Sequence, residues 1–94
     1  MLLEKIKRKE ALISVIGLGY IGLPLAMECA KSRYKVIGLD NQEDRVQMVN
    51  SSISYIADVD NKDLTNVVNR GFLEATADYS ILKKVDCISI CVPT

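Results

Sequence analysis

"VIGLGYIGLPLA", Val15 to Ala26, sets Gly17, Gly19 and Gly22 between an apolar run and a segment with helical spacing. Glycine loses more backbone freedom on folding than any other residue, so three in six positions need a physical reason. Upstream, "ALISVIG" (11–17) is β-branched, apolar and ends on a glycine, which predicts a buried strand. Downstream, the pattern is helical from Tyr20 to about Arg33. Ile21, Leu25 and Cys29 share one stripe, and Gly22, Ala26 and Ala30 form an adjoining stripe of small residues. Pro24 is compatible with this helix because it falls in the first turn, where its missing N–H would have no intrahelical partner.

The same alternation continues outward. "YKVIGLD" (34–40) reads as a second buried strand ending on an acid. "NQEDRVQMVN" (41–50) reads as a helix with Asn41 as its cap and Asp44 in its first turn. Residues 51–60 have no sustained period and read as a loop. Asp60 or Asn61 caps a helix to about Arg70, with Leu64, Val67 and Val68 on one face and Gly71 just past its end. "FLEAT" (72–76) is a short strand, Asp78 opens a brief helix carrying Ile81 and Leu82, and "DCISICV" (86–92) is the last strand.

Strands alternating with helices call for a parallel sheet with helices on both faces and right-handed crossovers. The expected fold is α/β, a Rossmann-type doubly wound parallel sheet. It would be the first mononucleotide-binding half, with strand order 3-2-1-4. Residues 1–11 form a basic lead-in helix, and 12–94 form the domain. "CVPT" follows directly on a buried-looking strand, where more protein is expected, so the domain reads as truncated. An uncovered fourth strand would then pair with another chain, and self-association is expected.

At 94 residues the chain is one domain or a piece of one. Hydrophobic residues at 49% and charges at 26% argue against disorder. Lys and Arg (12) balance Asp and Glu (12), so no global field draws in nucleic acid or an anionic membrane surface. No apolar run is long enough to span a bilayer, and no secretory signal is evident. Three cysteines give no paired framework, which fits a reducing cytoplasm.

Strand, Gly17-x-Gly19-x-x-Gly22, then helix is the arrangement that receives a dinucleotide pyrophosphate. The first glycine permits the tight turn. A side chain on the second would collide with the phosphates, and the third brings helix and strand close. Unpaired N–H groups and the positive end of the helix dipole then meet the phosphate charge. Asp40, 18 residues after Gly22 at the end of the next strand, would accept hydrogen bonds from the adenosine ribose. Its charge favours NAD over NADP, although the nearby Arg45 could tolerate a 2′-phosphate. The bland alternative, a tight turn beside a helix-capping aspartate, leaves the joint spacing unexplained.

"VIGLGYIGLPLA", "VIGLD" with Arg45 five residues on, and the terminal "CVPT" together resemble the NAD-binding domain of the nucleotide-sugar 6-dehydrogenases. The resemblance runs from about Glu10 to Thr94. Tyr20 after the second glycine and Leu23-Pro24 after the third carry more specificity than the glycines. The loop "SISYIADVD" is similar to the branch acting on UDP-N-acetylglucosamine or UDP-N-acetylmannosamine rather than UDP-glucose. Ala57 departs from that pattern, standing where an acid is common.

The resemblance implies NAD as cofactor, with the pyrophosphate on Gly17, Gly19 and Gly22. Tyr20 and Ile21 would donate backbone N–H groups or pack on the cofactor. Asp40 would hold the ribose, Arg45 the adenosine side, and Thr94 the nicotinamide half. It also implies a homo-oligomer and a UDP-sugar substrate whose carbon-6 alcohol is oxidised twice, reducing two NAD. A cysteine that captures the aldehyde lies in later domains. No catalytic residue and no metal site is expected in these 94 positions, and Cys29, Cys87 and Cys91 read as small core residues. Two other readings stay open: a β-hydroxyacid dehydrogenase domain, which typically has methionine where Ile21 stands, and a nucleotide-sensing regulatory module.

Overall fold

A computed structural model describes residues 11–85 and the backbone of 87–90. Strand β1 (Leu12–Ile16) leads to helix α1 (Gly22–Lys31), strand β2 (Lys35–Leu39), and helices α2 (Glu43–Asn50) and α3 (Asn61–Asn69). Strand β3 (Leu73–Thr76), a 3₁₀ helix (Tyr79–Lys84) and strand β4 (Cys87–Ile90) follow. The expected lead-in helix, Ala11 excepted, lies outside the described residues, as do Cys91, Thr94 and the Cys87 side chain.

The strands form one open parallel sheet in which β1 pairs with β2 and β4, and β2 pairs with β3. Its order is β3-β2-β1-β4. Ile16 lies opposite Leu39, so the tips of β1 and β2 end side by side. That register brings Gly17 and Asp40 out of the same edge of the sheet.

Residues 36–39 of β2 are buried without a break, as a strand covered on both faces requires. One face, carrying Val15, Val36, Leu73 and Ala75, packs on all three α-helices. Leu23, Ala26, Met27 and Ala30 come from α1, Val49 from α2, and Leu64 and Val67 from α3. Full burial of side chains such as Leu23 and Leu64 contributes about 1.5–3 kcal/mol each.

The stripe of small residues lies against the sheet as expected, and two readings are corrected: Cys29 as a core residue and Asn41 as a cap. The buried face of α1 is Gly22, Leu23, Ala26, Met27 and Ala30. Ile21 is exposed, while Leu25 and Cys29 only flank the core. Gly22, Ala26 and Ala30 on this face let the helix axis approach the strands, while Leu23 and Met27 fill the core beside them. Asn41 does not cap α2: the helix begins after Gln42, without a side-chain cap. Instead Asp40 accepts the Gln42 N–H at 2.9 Å and shapes the entry to the helix. The other two cap expectations hold. Asp60 accepts from Lys62 N–H at the start of α3, and Asp78 from Ser80 N–H at the start of the 3₁₀ helix. Gly71 closes the end of α3 in the left-handed region at φ 78°.

No described helix is long and apolar enough to cross a membrane. Among the described residues, no group of three or more His, Cys, Asp or Glu could hold a metal ion.

Candidate dinucleotide site at the strand tips

The chain leaves β1 through Gly17, whose φ of 90° is open to glycine and strained for other residues. Its N–H donates to the Leu39 carbonyl at 2.7 Å, extending the β1–β2 ladder by one bond. Leu18 then turns inward and is fully buried. A Cβ on Gly38 would come within 2.7 Å of Leu18 Cδ2, so the glycine in β2 is the seat for this leucine. With Leu18 inside, the next residue faces out.

Gly19 is different. Among the described residues, a Cβ there would meet only Arg45 Nη1, at 3.9 Å, which is ordinary contact. Neither its backbone conformation nor packing among the described residues requires glycine at this position. What the missing side chain leaves is an open cradle against main chain, bordered by a guanidinium. The Gly19 carbonyl accepts from Leu23 N–H at 3.1 Å, and α1 starts at Gly22 with no side-chain cap on its N-terminus. Backbone donors and the positive end of a ten-residue helix therefore face this cradle. Tyr20 and Ile21 stand exposed at its rim, 53% and 49% accessible.

Asp40 closes the other side. It is 4% exposed, and Oδ2 accepts from Leu18 N–H at 2.9 Å and from Arg45 Nη1 at 3.2 Å. Oδ1 accepts from Gln42 N–H at 2.9 Å. Burial alone would raise the pKa of this carboxyl. The Gln42 and Leu18 amides and the Arg45 guanidinium outweigh it and hold the group below its usual value of 3.8. A carboxylate has about four lone-pair sites, so the three donors among the described residues leave it one more for an incoming hydroxyl. Asp40 is thus both an anionic acceptor and the tie between the β2 tip and the glycine turn.

The structure brings together Gly17, Gly19, Asp40 and Arg45, with Gly22, Tyr20 and Ile21 at the helix entrance. Thr94 lies outside the described residues. Reading along the chain missed three participants: Leu18, the Gln42 amide and Tyr55. Tyr55 donates its hydroxyl to the Leu18 carbonyl at 2.6 Å, and the Arg45 guanidinium stands 5.9 Å from its ring centroid. Its being the one aromatic residue in the loop 51–60 was the available signal. A separate cleft of about 390 Å³, lined by Lys31 and Arg33 at the C-terminal end of α1 and by Asp63, Asn66 and Arg70 along α3, shares none of these residues.

An open cradle at Gly19, helix-start donors and a carboxylate on the neighbouring strand fit a dinucleotide. Comparison with known proteins agrees. The sequence profile of the UDP-glucose/GDP-mannose dehydrogenase family, NAD binding domain, matches residues 11–94. The chain is 40% identical over 96 residues to a UDP-N-acetyl-D-mannosamine dehydrogenase of Methanococcus aeolicus, covering 100% of this chain and 21% of that protein. It is 37% identical over 83 residues to the enzyme of the same name from Pyrococcus horikoshii, covering 87% and 20%. A crystal structure of a ternary complex of GDP-mannose dehydrogenase from Pseudomonas aeruginosa superposes with a TM-score of 0.79 at 30% identity, covering 87% of this chain and 19% of that one. The chain spans about a fifth of the length of the curated relatives it matches.

Proposed function

Because the chain belongs to the UDP-glucose/GDP-mannose dehydrogenase family through its NAD-binding domain, we propose that it is the NAD-binding part of a UDP-N-acetylhexosamine 6-dehydrogenase. The cofactor, when bound, supplies a hydride acceptor. This chain's own residues bind and orient it. Gly17, Gly19 and Gly22, with the backbone of Tyr20 and Ile21, receive the pyrophosphate at the start of α1. Asp40 takes the adenosine ribose through its remaining acceptor site, with Arg45 on the adenosine side. Thr94 takes the nicotinamide half on the strength of the family resemblance alone.

The sugar assignment is supported by the names of the relatives and by the loop "SISYIADVD". Two-step oxidation of carbon 6, with two NAD reduced, follows from the same reading. So do catalytic groups outside these residues, a completed doubly wound sheet, a homo-oligomer and a cytoplasmic location. The observation that carries the cofactor role is Gly19, a glycine that nothing among the described residues requires.

Gly19→Ala separates fold from function. The added methyl has room and should leave stability unchanged or raise it by about 0.4–1 kcal/mol, because it restricts the unfolded chain. Calorimetric titration should show NAD affinity reduced at least tenfold. A variant that binds NAD as well as the parent removes the pyrophosphate from this turn. The sugar is tested separately, by assaying the full-length dehydrogenase that contains these residues with UDP-N-acetylmannosamine and with UDP-glucose. NADH formation with UDP-N-acetylmannosamine but not UDP-glucose is expected, and the reverse preference would overturn the assignment.

A further inference from the structure

Tyr55 sits in the loop between α2 and α3, far along the chain from the glycines, yet both its polar and its aromatic parts are spent on them. Its hydroxyl donates to the carbonyl of Leu18, the residue between Gly17 and Gly19. Its ring lies beside the guanidinium that pairs with Asp40. The Leu18 N–H returns to that same carboxylate, so Leu18, Asp40, Arg45 and Tyr55 form a closed ring of contacts. Both backbone polar groups of Leu18 are thereby held from outside the turn, which fixes the peptide planes on either side of it.

The loop is itself braced. Ser54 N–H donates to the Asn61 side chain at 2.7 Å, Ile53 N–H to the Met48 carbonyl at 2.8 Å, and Val59 is buried in the core. A tyrosine that merely filled space would need a partner for its half-buried hydroxyl, but any carbonyl would serve. Here the partner is the one carbonyl whose position decides where the Gly19 backbone points.

Resting on the NAD reading above, we propose that Tyr55 is a positioning residue for the pyrophosphate, holding the glycine turn in its binding shape while supporting Arg45 against Asp40. Burial pushes the Tyr55 phenol up to about 12, so the donor keeps its proton throughout the physiological range. Precise support of a binding backbone from outside it is what makes such a site preorganised.

The test titrates the chain and Tyr55→Phe with NAD, ADP-ribose and adenosine. Phenylalanine keeps the ring beside Arg45 and removes only the bond to Leu18. Affinity for NAD and ADP-ribose should fall about three- to tenfold, the worth of one hydrogen bond. Adenosine, which has no phosphate, should bind the two proteins equally by ligand-detected NMR. Equal NAD affinity in both proteins, or an equal loss for adenosine, would overturn the proposal. Should the parent itself bind no NAD, the function proposed above fails first, a result distinct from any property of Tyr55. If the variant does not fold, 3-fluorotyrosine placed at position 55 keeps the question open to measurement. Its fluorine signal should shift further with ADP-ribose than with adenosine, and equal shifts with the two, or none with either, would count against the role.

Discussion

Leu18 donates its N–H to Oδ2 of Asp40 across 2.9 Å, joining the residue after β1 to the residue after β2. This bond lies beside the parallel ladder rather than in it, and it makes the glycine turn part of the sheet. Asp40 is therefore expected to hold the fold as well as a ligand.

That double role sets a pH dependence. The folded-state pKa of Asp40 lies below its usual 3.8, so its contribution to stability is fully present above the unfolded value. It is lost as pH falls through the lower, folded value. Asp40→Asn should cost about 1.5–3 kcal/mol at neutral pH, the range for hydrogen bonds to a charged group. Urea melts at a series of pH values should show the gap between parent and variant closing below pH 4. A gap that stays constant down to the acid limit would mean that the carboxylate charge contributes nothing.

Gly38→Ala tests the seat of Leu18. The new Cβ would lie 2.7 Å and 2.9 Å from the two leucine methyls, and Leu18 is held at both its N–H and its carbonyl. Overpacking of this kind costs about 1–3 kcal/mol. Adding Leu18→Ala should recover part of the loss, a coupling visible in a double-mutant cycle by thermal melting. Strictly additive losses would separate the two residues.

Asn50 ends α2 with its amide laid along the outer strand. Its Nδ2 donates to the Ala75 carbonyl and its Oδ1 accepts the Ala75 N–H, both at 2.9 Å. Since β3 is at the sheet edge, this side chain occupies backbone groups that another strand would otherwise pair with. Asn50→Ala should destabilise by about 1–2 kcal/mol. Asn50→Asp should cost at least as much, because a carboxylate cannot donate to the Ala75 carbonyl. Denaturant titration gives the stabilities, and sedimentation velocity should show greater self-association in the alanine variant. Unchanged values in both measurements would reduce the pair to a surface contact.

Much of the site was legible because its signals are local. Gly17 at a strand end, Gly19 two residues on and Asp40 at the next strand end are set by element lengths and turn chemistry, which spacing records directly. Cys29 reads as a core residue yet only flanks the core, since spacing alone does not say which of two adjoining stripes a helix turns fully inward. Asn41 was misread as a cap because Asp40, one residue earlier, reaches the same stretch of backbone through its side chain.

From the sequence alone came the alternation of strand and helix, the bare turn after the first strand and the acid after the second. Each depends on residues near one another in the chain. Only the folded arrangement decided that Leu18 rests on Gly38, that Tyr55 holds the Leu18 carbonyl and that Arg45 shares Asp40 with a backbone amide. The contacts that Leu18 makes with Gly38, Asp40 and Tyr55 join positions 20, 22 and 37 residues apart. They exist because a parallel sheet sets successive strand tips side by side, a distance in space that no periodicity along the chain can encode.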